Sequence, residues 1–181
     1  MVKLFDYKNT IFGDTSIAYE QGPEQAFKRA SDQATDQTKP GLVFLCGFKS
    51  DLTGTKAQAV ADWADTNHYA NLRFDYFGHG QSSGEFEAGT LSGWREEVST
   101  VLEALTAGQN ILVGSSFGGF MASLAAIDMP NKVVGLILIA PAFDMTERLM
   151  RAGMSQAQTR ELERDGKFMH GTEYDSEGYP I

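Results

Sequence analysis

The residues best suited to chemistry lie in the segment NILVGSSFGGFMASLAA, Asn110–Ala126. Within it, Gly114-Ser115-Ser116-Phe117-Gly118 matches the pattern G-x-S-x-G. The spacing alone is common; its surroundings carry the signal. An apolar run leads directly in and a run of small residues leads directly out, which places the serine on a sharp strand-to-helix turn. Such a turn forces Ser116 into strained backbone angles. Glycines two residues before and two after let strand and helix approach without Cβ clashes. The Ser116 hydroxyl then stands clear at the carboxyl edge of a sheet, suited to nucleophilic attack. The N–H of Phe117, at the helix start, points to where an oxyanion would form. A buried capping serine in a glycine-rich turn is the plainer alternative. A phosphate-cradling loop is another, but the segment is neither G-x-G-x-x-G nor G-x-x-x-x-G-K-[ST], and no lysine follows before Lys132.

Two earlier segments belong with it. In LCGFKSDLTGTKA, Leu45–Ala57, a Gly-aromatic pair follows an apolar run. It can aim the N–H of Phe48 at the same sheet edge, giving with Phe117 a two-donor oxyanion hole. Alone, the segment reads more readily as a plain strand-to-helix turn. In RFDYFGHGQSSGEF, Arg73–Phe86, His79, Ser82 and Ser83 are expected to satisfy a turn. His79 as a catalytic base is the alternative.

Positioning these segments requires an alternation of strands and helices, and the sequence supplies one. Strands are expected at Leu4–Tyr7 and Ser16–Tyr19, joined by a turn at Gly13-Asp14. A polar loop spans residues 20–40, with a helical turn at Glu24–Ala30. Then come strands at Gly41–Cys46, Asn71–Tyr76, Asn110–Gly114 and Val133–Ala140. Helices at Thr55–Thr66, around Trp94–Leu105 and at Phe117–Met129 separate them. The first helix is expected to bury Val60, Trp63 and Ala64. Strands apolar throughout imply burial on both faces, hence a mostly parallel sheet in a three-layer α/β fold with helices on both faces. From Pro141 the pattern changes. Asp144–Arg151 and Gln156–Asp165 read as amphipathic helices, with Asp144 and Glu147 spaced as a capping box. Gly166–Ile181 reads as polar turns without a strand. The expected division is a core of residues 1–142 and a cap segment of residues 143–181. Met145, Leu149 and Met150, with Phe143, Met154 and Phe168, are candidates for an adaptable acyl-binding wall, or simply pack the cap.

Composition narrows the options. The 181 residues carry 15 basic and 24 acidic side chains, a net charge of −9. This argues against nucleic acid or an anionic membrane surface as partner. No apolar run is long enough to span a bilayer. The single cysteine, Cys46, excludes an internal disulfide and a Cys-cluster metal site, and favours a reducing, cytoplasmic location. No metal or cofactor is implied, and the expected partner is a small acyl substrate.

The three segments, in this order and spacing, resemble the α/β-hydrolase superfamily. More narrowly, GFKSDLTGTKA, RFDYFGHGQSSG, the Trp94-Arg95 helix and ILVGSSFGG resemble serine hydrolases of the mitochondrial palmitoyl-protein thioesterase and acyl-glucuronide esterase group and their bacterial homologues. The resemblance implies Ser116 as nucleophile, Phe48 and Phe117 as oxyanion donors, and ester or thioester hydrolysis through an acyl-enzyme. Cys46 stands where many relatives carry a structural histidine. A triad in the order Ser, Asp, His is also implied, yet no residue here matches the Asp or the His. The last two strand–helix units are expected to be missing, so the chain reads as truncated at its C-terminus. Asp144 and His170 are possible substitutes; a helix cap and a surface histidine are the plainer readings of each. Two functions stay open: part of a serine hydrolase, or a non-catalytic binding or interaction module of the same fold. Either way, Val133–Ala140 should form an exposed apolar sheet edge.

Overall fold

The computed structural model describes residues 1–22, 39–166, 169–172 and 175–180. The helical turn expected at Glu24–Ala30 and Phe168 lie outside the described residues, as do the side chains of Leu149 and His170. The chain forms two compact units, Met1–Ala142 and Phe143–Ile181.

The first unit is built on strands whose every residue is buried. GLVFL forms β3 (Gly41–Leu45) and NLRF forms β4 (Asn71–Phe74). With β1 (Lys3–Asn9), β2 (Gly13–Gly22), β5 (Asn110–Ser115) and β6 (Val133–Ile139) they make a six-stranded sheet in the order β1-β2-β4-β3-β5-β6. β3 pairs in parallel with both β4 and β5, and β5 pairs in parallel with β6. β1 and β2 are antiparallel additions. Each parallel step runs through a helix: α1 (Thr55–Thr66), α2 (Leu91–Leu105) and α3 (Phe117–Asp128). Strand alternation assigns the faces. Ile111, Val113 and Ile137 share a groove with α1 residues Ala59, Val60 and Trp63. Gly114, of opposite parity, lies against Gly118 and Gly119 of α3. The mostly parallel three-layer α/β architecture expected from the sequence is therefore present.

Several local expectations need correction. The first hairpin turns at residues 10–12, before Gly13. There the buried Asn9 side-chain oxygen accepts the N–H groups of Ile11 (2.8 Å) and Phe12 (3.1 Å). Helix α1 buries Ala57, Ala61 and Ala64, and leaves Trp63 more than half exposed. Three alanines allow a close approach to the sheet that an indole would block. Arg73 is a polar residue in a central strand. It survives there because Glu20, its cross-strand neighbour on β2, and Gln58 of α1 bind its guanidinium.

The second unit contains short helical turns at Met145–Met150 and Arg151–Gly153, then α4 (Gln156–Asp165). The Asp144 capping box does not form. Asp144 is left-handed (φ 54°), caps nothing with its side chain and lies 3.9 Å from Arg148. A complete box caps α4 instead, between Ser155 and Gln158. Residues Met169–Thr172 (β7) and Asp175–Pro180 (β8) form an antiparallel pair where only turns were expected. Backbone pairing needs no apolar alternation, so these polar strands left no periodic signal.

Strand β6 ends the sheet. It is the exposed apolar edge expected from the sequence: Val134, Leu136 and Ile137 are 39–51% exposed. An apolar edge with open backbone groups invites self-association. Because Ile137 is only half buried, Ile137→Lys should cost at most about 1 kcal/mol while suppressing edge pairing. Light scattering during heating should then begin at a higher temperature than in the wild type.

Candidate active site

The strand-to-helix turn at Ser116 is shaped by backbone contact. A Cβ on Gly114 would meet the Gly118 carbonyl oxygen, and a Cβ on Gly118 would meet the carbonyl oxygens of Leu45 and Cys46. Helix α3 therefore starts directly on the ends of β5 and β3. The connection leaves Ser116 at φ 53°, ψ −118°, a costly conformation for a residue with a side chain. Hydrogen bonds hold it there. Ser116 N–H donates to Ile139 O (2.9 Å), and Ser116 O accepts from Gly119 N–H (2.9 Å) and Ala142 N–H (3.0 Å). The side chain is exposed, and among the described residues no group hydrogen-bonds its hydroxyl. The first N–H groups of α3, beginning with Phe117, face the carboxyl edge of the sheet.

The loop after β3 passes beside this turn: a Cβ on Gly47 would lie 3.7 Å from Ser116 Cβ. The Phe48 ring packs edge-on against Phe117 at 5.7 Å and against Phe86 at 4.9 Å. The loop is tied to its neighbour by Asp75, a role the sequence reading missed. The buried Asp75 carboxylate accepts Leu52 N–H (2.6 Å) and Gln81 N–H (2.9 Å). Burial raises its pKa, while those two hydrogen bonds oppose the rise. Ser82 and Ser83 satisfy backbone groups as expected. Ser82 Oγ donates to Asp75 O and accepts from Ala18 N–H, and Ser83 Oγ accepts from Ser16 N–H.

His79 belongs to this packing. It is 4% exposed, and its Nδ1–H donates to Phe77 O at 3.1 Å. The indole N–H of Trp94 donates to the same oxygen at 3.0 Å. Burial pushes the His79 pKa down and favours the neutral ring. Its edge contacts are with Phe48, Tyr76, Phe86 and Trp94. His68 follows α1, at the opposite end of the sheet from Ser116. Asp144 belongs to the second unit, as do Met145 and Met150, both half-buried there. The Cys46 thiol is pushed up to about 12 by burial, which makes it unreactive.

A cleft of about 260 Å³ opens beside Ser116, lined among others by Phe48, Asp51, Thr55, Lys56 and Ser115. Among the described residues no group of three or more His, Cys, Asp or Glu could hold a metal. No helix among them is long and apolar enough to cross a membrane.

Comparison with known proteins places this geometry. Residues 36–173 match the Hydrolase_4 model, described as serine aminopeptidase, S33. The chain belongs to this family of α/β hydrolases. The mouse mitochondrial palmitoyl-protein thioesterase ABHD10 is 37% identical over 157 residues, which is 87% of this chain and 51% of the mouse protein. The human counterpart is 36% identical over 156 residues. This Hydrolase_4 chain thus spans about half the length of the curated relatives it matches. A crystal structure from Agrobacterium vitis S4 superposes with a TM-score of 0.83 at 33% identity, covering all of this chain and 68% of that one. The mouse α/β hydrolase domain-containing protein 10 superposes at 0.76 and 31% identity, covering 99% of this chain and 66% of that one.

One buried acid of this Hydrolase_4 core also escaped the sequence reading. Glu97 of α2 is fully buried and accepts Phe77 N–H (3.0 and 3.1 Å) and Tyr7 O–H (3.2 Å). The signal existed, since Glu97 falls on the same helical stripe as Trp94 and Val101. Burial pushes its carboxyl up to about 8, against 4.5 in an unfolded chain. The folded state therefore binds this proton more tightly. Glu97's contribution is complete below about pH 4.5 and is lost as pH rises through about 8, a change of roughly 3–5 kcal/mol. In urea titrations, wild-type stability relative to Glu97→Gln should fall across that window.

Proposed function

We propose that this chain is the nucleophile-bearing part of a serine hydrolase that cleaves carboxylic esters or acyl thioesters. The observation that carries the reading is the exposed Ser116, held at φ 53° between a buried strand and a helix start. The tight turn that packs α3 onto the strand ends also presents the hydroxyl to a ligand instead of burying it. Ser116 Oγ attacks the acyl carbonyl carbon and gives its proton to a base. The N–H groups of Phe48 and Phe117 receive the oxyanion. Collapse expels the alcohol or thiol and leaves an acyl-serine, which water then hydrolyses. The base and its orienting acid are assigned to polypeptide outside these 181 residues, because nothing described here supports Ser116 in that way.

The curated relatives are named palmitoyl-protein thioesterases, which favours acyl thioesters among the substrates. Met145, Leu149 and Met150 are assigned to acyl recognition on residue type alone. The lone buried Cys46 fits a reducing compartment, the cytoplasm in our reading. A second reading, a non-catalytic module of the same fold, draws on the lack of any partner for the Ser116 hydroxyl among the described residues.

A fluorophosphonate probe separates the two. It should label Ser116 in a longer product of the same gene, and Ser116→Ala should abolish labelling and lower ester turnover at least about 1,000-fold. The 181-residue chain should turn over poorly. Failure of Ser116 to label in either form supports the binding module. Brisk turnover by the short chain that is lost on His170→Ala would instead make His170 the base.

A further inference from the structure

We propose that Tyr76 and His79 form a positioning pair, joined through one buried water, that sets the spacing of the two oxyanion donors, Phe48 and Phe117. The inference rests on the hydrolase reading above and adds to it two residues that do not touch the substrate.

The loop after β4 turns His79 inward by backbone contacts. Gly78 N–H donates to Ser83 O and His79 N–H to Tyr76 O, both at 2.9 Å, and His79 O accepts Ser82 N–H at 3.0 Å. Gly80, the next residue, has positive φ, and a Cβ there would meet the Asp75 carboxylate. The imidazole therefore starts from a fixed point. Phe77 O can only accept, so Nδ1 carries the hydrogen in their contact. A neutral ring then presents Nε2 as a lone pair.

Among the described residues, two buried side-chain polar atoms have no hydrogen-bond partner: His79 Nε2 and Tyr76 Oη. Buried polar groups are seldom left so. Tyr76 is fully buried and His79 nearly so. Their rings meet edge to face with centroids 5.6 Å apart. One atom accepts, and the other has a proton to donate. A water between them accepts from Tyr76 O–H and donates to His79 Nε2, which satisfies both.

Each member of the pair packs against one donor residue. The His79 ring lies edge-on to Phe48 at 6.4 Å, and the Tyr76 ring lies edge-on to Phe117 at 5.6 Å. Phe48 and Phe117 close the circuit at 5.7 Å. Four rings on three segments thus form one loop of contacts. The Tyr76–His79 link is its polar side, and it ties the ring of one donor residue to the ring of the other.

The link needs a neutral His79, because protonation replaces the Nε2 lone pair with an N–H. Burial keeps the His79 pKa below the ordinary 6.5, and the Lys49 charge acts in the same direction. The acids around it are engaged elsewhere or turned to solvent. Asp75 accepts Leu52 and Gln81 N–H, Glu97 of α2 accepts Phe77 N–H and Tyr7 O–H, and Asp51 binds Thr53. Glu85 and Glu87, beside Phe86, are exposed. Burial pushes the Tyr76 pKa well up, so its hydroxyl keeps its proton. As pH falls below 6.5 the unfolded chain takes up a proton that the folded ring resists, and the contribution of His79 to stability is lost on the acid side.

Nitrogen-15 NMR of the 181-residue chain tests the pair without requiring turnover. His79 Nε2 should resonate as a hydrogen-bonded acceptor. Tyr76→Phe, which removes one oxygen and keeps the ring, should shift it toward an unbonded nitrogen and move the amide signals of Phe48 and Phe117. In the wild type both amides should titrate together with His79 as the solution is acidified. In the longer product of the same gene, Tyr76→Phe should lower kcat about 10–100-fold and leave KM nearly unchanged, since the oxyanion forms only in the transition state. An Nε2 signal that is unbonded in the wild type, or indifferent to Tyr76→Phe, overturns the link. Amides that stay in place, or a change in KM alone, overturn the positioning role and leave the hydrolase reading standing if a fluorophosphonate labels Ser116. A Tyr76-dependent Nε2 with moving amides, but no labelling of Ser116 in either form, supports the link and defeats the hydrolase reading.

Discussion

The backbone-to-backbone approach of α3 to the ends of β5 and β3 is the constraint on which the site depends. Gly114 and Gly118 have no room for a Cβ, since carbonyl oxygens of the neighbouring elements occupy that space. With the helix seated so close, the chain has one residue in which to reverse from strand to helix. Ser116 takes up the whole reversal and adopts a positive φ. Strain of this kind costs on the order of 1–3 kcal/mol and persists only where surrounding contacts over-determine it. The four hydrogen bonds made by the Ser116 backbone, to Ile139, Gly119, Phe120 and Ala142, do so. Exposure of the Ser116 hydroxyl follows from that geometry.

The other two loops at this edge are held by buried acids. Asp75 joins the loop after β3 to the loop after β4 by accepting one N–H from each side. Glu97 reaches from α2 to receive Phe77 N–H, and it binds Tyr7 of β1 as well. Between them the rings of Phe48, Phe86, Trp94, Phe117 and His79 pack edge to face. Such contacts fix ring positions more tightly than aliphatic packing does. A fixed Phe48 ring in turn fixes the backbone beside it, next to Ser116. Burying two carboxyl groups is expensive. The expense is offset because each replaces a missing partner for loop N–H groups that have no strand or helix to bond with.

How much of this was readable varies by element. β3, β4, β5 and α3 carry strong local signals: unbroken apolar runs, or small residues at fixed places around a serine. The face of α1 was read in part: Ala64 is buried as expected and Val60 half-buried, but Trp63 is exposed while Ala57 and Ala61 meet the sheet. Packing distance decided that, and hydrophobicity scales do not encode it. β6 has the apolar run of an interior strand, and its place at the edge was expected from the lack of a following strand, since position in a sheet depends on neighbours and not on the strand's own residues. The Asp144 box failed although its spacing was right, because the chain leaves β6 through a left-handed Asp144 that cannot cap. Asp75 looks like an ordinary acid in the sequence, and Glu97 is marked only by its place on the apolar stripe of α2. Only the fold reveals that each is buried against backbone donors.

From the sequence by itself come the order of strands and helices, the mostly parallel sheet, and Ser116 as the residue to watch. These follow from local regularities: apolar runs, helical spacing, and glycines that tolerate close approach. The tertiary structure decided which groups meet. It sent His79 into an aromatic cluster and used Asp75 and Glu97 as loop anchors. It also set the loop after β3 and the start of α1 around one cleft beside Ser116. Residues 41 to 116 are far apart along the chain, and only the parallel pairing of β3 with β4 and β5 brings their loops to a common edge.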